Sequence, residues 1–98
     1  MEIKPSKYYI RLLKKNKRRL EKQYGISRMG IFGSVARGTH NVESDIDICV
    51  EMEPDMLALA GIYADLEHLF GKKVDIVRLS KYTNPLLKKK IENEAIYV

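Results

Sequence analysis

Apolar positions recur along this chain with two periods, and the switches between them divide it into elements. From Ser6 to Tyr24, Tyr9/Ile10, Leu13, Leu20 and Tyr24 return at roughly helical spacing, with Ser6 placed to cap the helix and Gly25 to end it. Lys17 interrupts that stripe, so packing on the rest of the domain must stabilise this helix. A short strand follows, about Arg28 to Phe32, then a Gly33-Ser34 turn, a brief helical turn through Val35 to Arg37 that ends at Gly38, and a polar loop from Thr39 to Ser44. A second strand runs about Asp45 to Glu51 and is broken by Glu53-Pro54-Asp55. Met56 to Phe70 predicts a second long helix. Its wide apolar face holds Leu59, Tyr63, Leu66 and Phe70, backed by Ile62 and Leu69, and Gly71 is the stop. Lys73 to Leu79 alternates as a third strand, with Val74, Ile76 and Arg78 against Asp75 and Val77. Asn84-Pro85 then opens a third helix that reaches about Asn93, and Ala95 to Val98 forms a short tail strand. The order α-β-(turn)-β-α-β-α predicts an α/β (α+β) domain, a small mixed β-sheet flanked by helices.

At 98 residues the chain is one domain, 1–98, with room for a single core. Its 45% hydrophobic and 32% charged content is ordinary for a globular protein. No apolar run approaches the roughly eighteen residues that span a membrane, so a cytoplasmic protein is expected. The one cysteine, Cys49, excludes an internal disulfide and reads as a small core residue. The net charge of +5 is unevenly spread: residues 1–24 carry nine Lys/Arg against two Asp/Glu, and residues 25–98 carry nine against eleven. The basic excess therefore belongs to the first helix, as an acidic partner surface, nucleic acid or a plain solvated face would each allow.

The chemistry is concentrated in Gly33-Ser34 and in Ser44-Asp45-Ile46-Asp47. Two residues apart on a strand, Asp45 and Asp47 would leave one face about 7 Å apart at the backbone. Such a pair repels itself unless a cation sits between, and hard oxygen ligands suit Mg²⁺, completed by substrate phosphates. The Gly33-Ser34 turn could open a helix whose free N–H groups face a phosphate, with the Ser34 hydroxyl donating as well. Arg37, one turn on, either neutralises phosphate or is a solvated arginine. Asp75 is costly in a predicted buried strand unless partnered. It either joins the Asp45–Asp47 face as a third carboxylate or pairs at a strand edge with Lys73. Three carboxylates and a phosphate cradle suit two-metal phosphoryl or nucleotidyl transfer, with two ions about 3.5–4 Å apart. Asp45 and Asp47 would bridge the metals, while Asp75 would hold the one that activates the attacking hydroxyl, or orient or deprotonate that hydroxyl. Other nucleotide motifs fail: Gly33 and Gly38 have P-loop spacing, but Thr39 stands where its lysine must be. His40 and His68 have no partner at ligand spacing, and Lys88-Lys89-Lys90 reads as a solvated helix face.

Gly33-Ser34, ten residues, Asp45-x-Asp47, and Asp75 inside Lys73-Val74-Asp75-Ile76-Val77 together resemble the DNA polymerase beta-like nucleotidyltransferases, and most closely the minimal members. The likeness runs from Phe32-Gly33-Ser34-Val35-Ala36-Arg37-Gly38 to Ile91-Glu92-Asn93-Glu94-Ala95. It implies ATP as substrate and Mg²⁺ as cofactor, Asp45, Asp47 and Asp75 as catalytic metal ligands, and Gly33, Ser34 and Arg37 on the nucleotide. It also implies an antitoxin that transfers AMP to a tyrosine of a HEPN-type toxin, with homo- and hetero-oligomers both open. One departure is Glu43, where the family often has an arginine before Ser-Asp. Larger relatives add a domain that holds the acceptor; here about twenty residues follow the Asp75 strand, so a partner must bring the acceptor or catalysis is lost. Two rivals remain: an antitoxin acting by contact alone, against which the intact acidic triad argues, and a nucleic-acid binder using residues 4–22. That stretch has tyrosines only near its ends and no recognisable binding motif, which argues against the second.

Overall fold

The computed structural model describes residues 3–98 and follows the expected order of elements. Helix α1 (Ser6–Tyr24) leads to strand β1 (Ile26–Phe32), the short helix α2 (Gly33–Arg37) and strand β2 (Ile46–Met52). Helix α3 (Met56–Phe70), strand β3 (Val74–Arg78), helix α4 (Pro85–Glu94) and strand β4 (Ile96–Tyr97) complete it. The strands form one sheet in the order β3-β2-β1-β4. β1 runs antiparallel to β2 and to β4, whereas β2 and β3 are parallel, as a connection through a helix of α3's length permits.

The two faces of the sheet are covered unequally. Met29 and Ile31 of β1, Ile46, Ile48 and Val50 of β2, and Val74 and Ile76 of β3 are buried with Tyr9, Leu13 and Leu20 of α1 and Ile62, Leu66 and Phe70 of α3. Each fully buried Leu or Ile contributes about 1.5–3 kcal/mol relative to exposure, so this layer holds most of the folding energy. The other face carries only the small cluster of Phe32, Cys49 and Ile91, the last from α4. Cys49 is a fully buried free thiol, as expected of a core cysteine. Gly30 lets β4 close the sheet edge, since a Cβ there would come within 2.9 Å of the Ile96 carbonyl oxygen.

Four local expectations change. Ser6 does not cap α1: Pro5 occupies the cap without a side-chain bond, and the Ser6 hydroxyl donates instead to the Val35 carbonyl at 2.6 Å, tying α1 to α2. β1 starts at Ile26 rather than Arg28, with an irregularity in its pairing between Ile26 and Arg28. Gly33 and Ser34 are the first residues of α2 rather than a turn before it. Asp45 lies one residue ahead of β2. The Ile46 N–H pairs with the Lys73 carbonyl at 3.0 Å, and β3 begins at Val74, so the ladder has no partner strand for Asp45. Asn84 caps α4 as expected, accepting from the N–H groups of Leu86 and Leu87, with Pro85 behind it. No helix among the described residues is long and apolar enough to cross a membrane.

Candidate active site

β2 and β3 are parallel and in register, with Asp47 opposite Asp75. Residues paired in this way project to the same side, so the two carboxylates stand on neighbouring strands about 4.8 Å apart in backbone spacing. Phe32 pairs with Asp47 on its other flank and belongs to the small apolar cluster. The pair therefore sits on the thinly covered face, away from α1 and α3. Asp47 is partly buried; Asp75 and Asp45 are exposed.

The chain reverses from β1 into α2 beside Asp47. Gly33 has φ +73°, and a Cβ at that position would overlap Asp47 Oδ2 and lie 3.0 Å from its Cγ. Both facts demand glycine, the first because side chains rarely adopt that backbone and the second because there is no space. The start of α2 is thereby held against the carboxylate, and Ser34 is the next residue along.

Burial pushes the Asp47 carboxyl above its usual range, and the charge of Asp75 pushes it further. Lys90 offsets that rise, Asp45 adds to it and Arg37 again offsets it. Asp47 is thus the centre of one electrostatic cluster that includes all three expected carboxylates. Among the described residues, however, no group of three or more His, Cys, Asp or Glu side chains is gathered closely enough to hold a metal ion by itself. Arg37 lies on the side of α2 facing α4, where its Nη1 donates to Glu94 Oε1 at 2.9 Å. A cavity of about 400 Å³ lies between the 41–45 loop, Tyr9, Phe70 and the 71–73 turn, and meets the cluster only at Asp45. Above Asp47 and Asp75 the site is an open shelf. His40 borders the cavity as a structural tie, with Nε2 donating to the Lys4 carbonyl at 2.6 Å and its ring edge-on to Tyr9.

Glu94, through its bond with Arg37, is the site neighbour that reading the sequence missed. The triple-lysine run is exposed at all three positions, as a solvated face would be, whereas Glu94 falls at i+7 from Leu87 and i+3 from Ile91, on the stripe that packs inward. That spacing, with a charge on a core-facing stripe, is the signal that singles it out.

Residues 12–98 match the nucleotidyltransferase domain family, and the chain belongs to it. The protein adenylyltransferase MntA of Thermococcus cleftensis is 34% identical over 89 residues, covering 89% of each chain. A solved minimal nucleotidyltransferase superposes with a TM-score of 0.79 at 32% identity, covering 98% of both chains. The fold is also shared, at TM-score 0.64 and 20% identity, with a chain in the complex of the tri-AMPylated Shewanella oneidensis HEPN toxin and MNT antitoxin. That match covers 89% of this chain and 69% of the other.

Proposed function

We propose that this protein is a Mg²⁺-dependent protein adenylyltransferase that moves AMP from ATP to a tyrosine hydroxyl of a HEPN-type toxin, and so acts as its antitoxin. The observation that carries the reading is the in-register Asp47–Asp75 pair with Gly33 pressed against Asp47. The adenylyltransferase relative and the fold shared with a HEPN–MNT complex supply the acceptor class and the partner.

The donor set fits Mg²⁺: all three side chains are carboxylates, and Asp47 is held above its usual range by burial and by its acidic neighbours, a deficit that a cation relieves. Asp45, Asp47 and Asp75 would hold the metal, with substrate phosphates filling the remaining positions, as Mg²⁺ prefers. Bound there, it would neutralise the phosphate charge that develops during transfer. Gly33 and Ser34 present α2's first N–H groups and a hydroxyl to the phosphates, and Arg37 adds a cation. The acceptor oxygen forms a bond to the α-phosphorus as the bond from that phosphorus to the β-phosphate bridging oxygen breaks, and pyrophosphate leaves. Asp75, the outer carboxylate of the pair, orients the acceptor hydroxyl and takes its proton.

The test is to incubate the protein with labelled ATP, Mg²⁺ and the product of the neighbouring gene. Label on a tyrosine of that partner, with loss of the partner's toxicity, is the expected result. Silencing without label would replace this reading by inhibition through contact alone. In the same preparation, millimolar Mg·ATP should raise the melting temperature of the isolated protein by mass action.

A further inference from the structure

The start of α3, from Met56 through Leu57, Ala58, Leu59, Ala60 and Gly61 to Ile62, carries no polar side chain. A surface helix normally turns polar residues outward, and one that is apolar on every side belongs against something. Leu59 and Ile62 pack into the core, but Met56, Leu57, Ala60 and Ala64 are exposed. Met56 is 87% exposed and Leu57 88%.

A second apolar pair stands at the same end of the sheet. β2 and β3 are parallel, and Val50 lies opposite Arg78. The Leu79 N–H donates to the Val50 carbonyl at 2.8 Å, and Arg78 Nη1 donates to the Met52 carbonyl at 3.1 Å. The chain therefore leaves both strands side by side, towards Met56 from β2 and towards Tyr82 and Leu86 from β3. Tyr82 is 82% exposed and Leu86 81%. Single exposed apolar side chains are ordinary, but here the four most exposed large ones among the described residues are gathered at one end. Asp47 lies near the other end of β2, about 17 Å from Met52 along the strand.

Charge divides this end into two complementary halves. Glu53 and Asp55 precede Met56, whereas Lys81 precedes Tyr82 and Lys88 and Lys89 follow Leu86; all five are exposed. No acidic residue stands in the first turn of α4, so the positive end of that helix adds to the basic half. A surface that is apolar throughout, acidic on one side and basic on the other, complements itself. A two-fold axis sets the acidic half of one copy on the basic half of the other, and makes the same contact twice.

We propose that this end of the molecule is the interface of a homodimer, in which the start of α3 in one copy packs on residues 81–89 of the second copy, and the reverse. Both shelves then face away from the interface, open to nucleotide and acceptor. Nothing in this pairing depends on what the shelf binds.

Sedimentation equilibrium of the full chain, with no nucleotide or other protein present, tests it, and circular dichroism verifies that each variant is folded. The wild type should dimerise. Leu57→Ser should weaken the dimer about tenfold or more, since a symmetric interface loses the contact twice. Glu53→Lys and Lys89→Glu should each weaken it as well, because like charges then meet at both contacts. An equimolar mixture of these two variants should dimerise like the wild type, because the mixed pair is complementary at both. Wild-type protein that stays monomeric up to about 1 mM, a dimer indifferent to Leu57→Ser, or a mixture no tighter than its components would each overturn the inference. A monomer that uses Leu57 and Leu86 only to bind the HEPN-type toxin would overturn it too.

Discussion

Asp47 concentrates the conflict between stability and activity in a single side chain. Burial and then Asp75 raise its proton affinity in the folded protein above that of an ordinary aspartate. Between the ordinary value and the raised one, the folded state binds more protons than the unfolded chain, so stability falls as pH rises through that window. Below the ordinary carboxylate range both states are protonated and the effect vanishes. Asp47→Asn is therefore expected to melt at the same temperature as wild type or higher at neutral pH without metal. The difference should shrink as pH drops below about 4. Transfer activity should fall by at least about 100-fold, the upper end of what losing even an outer-shell partner of a metal ligand costs. Melting curves across that pH range and the labelled-ATP assay check both halves. A variant that melts well below wild type at neutral pH, or one that labels the partner equally, would remove Asp47 from this role. Gly33 belongs to the same unit, because the space its missing Cβ leaves is the space Asp47 Oδ2 occupies.

Among the elements, the contact between α1 and α3 shows the opposite sign. Arg19 places two N–H groups on Asp65 at 2.7 and 2.8 Å, and the Tyr24 hydroxyl donates to the same carboxylate at 2.9 Å. Chiefly through the Arg19 hydrogen bond, Asp65 is held below its usual range. A depressed folded value means stability that is present above the unfolded value and lost as pH falls through the folded one. Asp65→Asn should cost about 1 kcal/mol at neutral pH and no more, since the Arg19 side chain is 46% exposed and solvent screens the pair. Urea unfolding at neutral and at strongly acid pH checks this, and a loss that persists in acid would point to packing instead of charge. The ends of these helices were legible because local chemistry decides them: Gly25, Gly71 and Asn84-Pro85 stop or start a helix wherever it lies. The start of α1 was not, because Ser6 found a better acceptor 29 residues away in Val35. Asp45 escaped its strand for a similar reason, since only the start of β3 sets where β2's pairing begins. Alternation gave the faces of Asp47 and Asp75 within their own strands, but whether those strands lie side by side stayed open until the sheet order and register were known. Arg37–Glu94, separated by 57 residues, became visible only once α4 had docked.

At the scale of the whole molecule, charge and chemistry are divided between the two faces of the sheet. α1 carries Lys7, Arg11, Lys14, Lys15, Arg18 and Lys22 as exposed cations on the layer that packs against Met29, Ile31 and Ile48. Asp47 and Asp75 project with Phe32 and Cys49 from the opposite face. The sheet and its apolar layer separate the two, and exposed charges farther apart than about 8 Å are largely screened at physiological salt. The basic face can therefore attract a macromolecule without altering how the shelf binds a nucleotide. Reversing Lys14, Lys15 and Arg18 to glutamate should slow association with the acceptor partner, more at low salt than at high, as rim charges do. Mg·ATP affinity should stay within about twofold of wild type, since distant surface charges leave a local site almost untouched. Stopped-flow association and calorimetry on the same triple variant separate these effects. A parallel loss of ATP affinity would mean that the field of α1 reaches the shelf. If the wild-type protein instead binds RNA or DNA tightly, with an affinity that falls steeply with salt and disappears in the triple variant, the basic face is a nucleic-acid reader and the docking role fails.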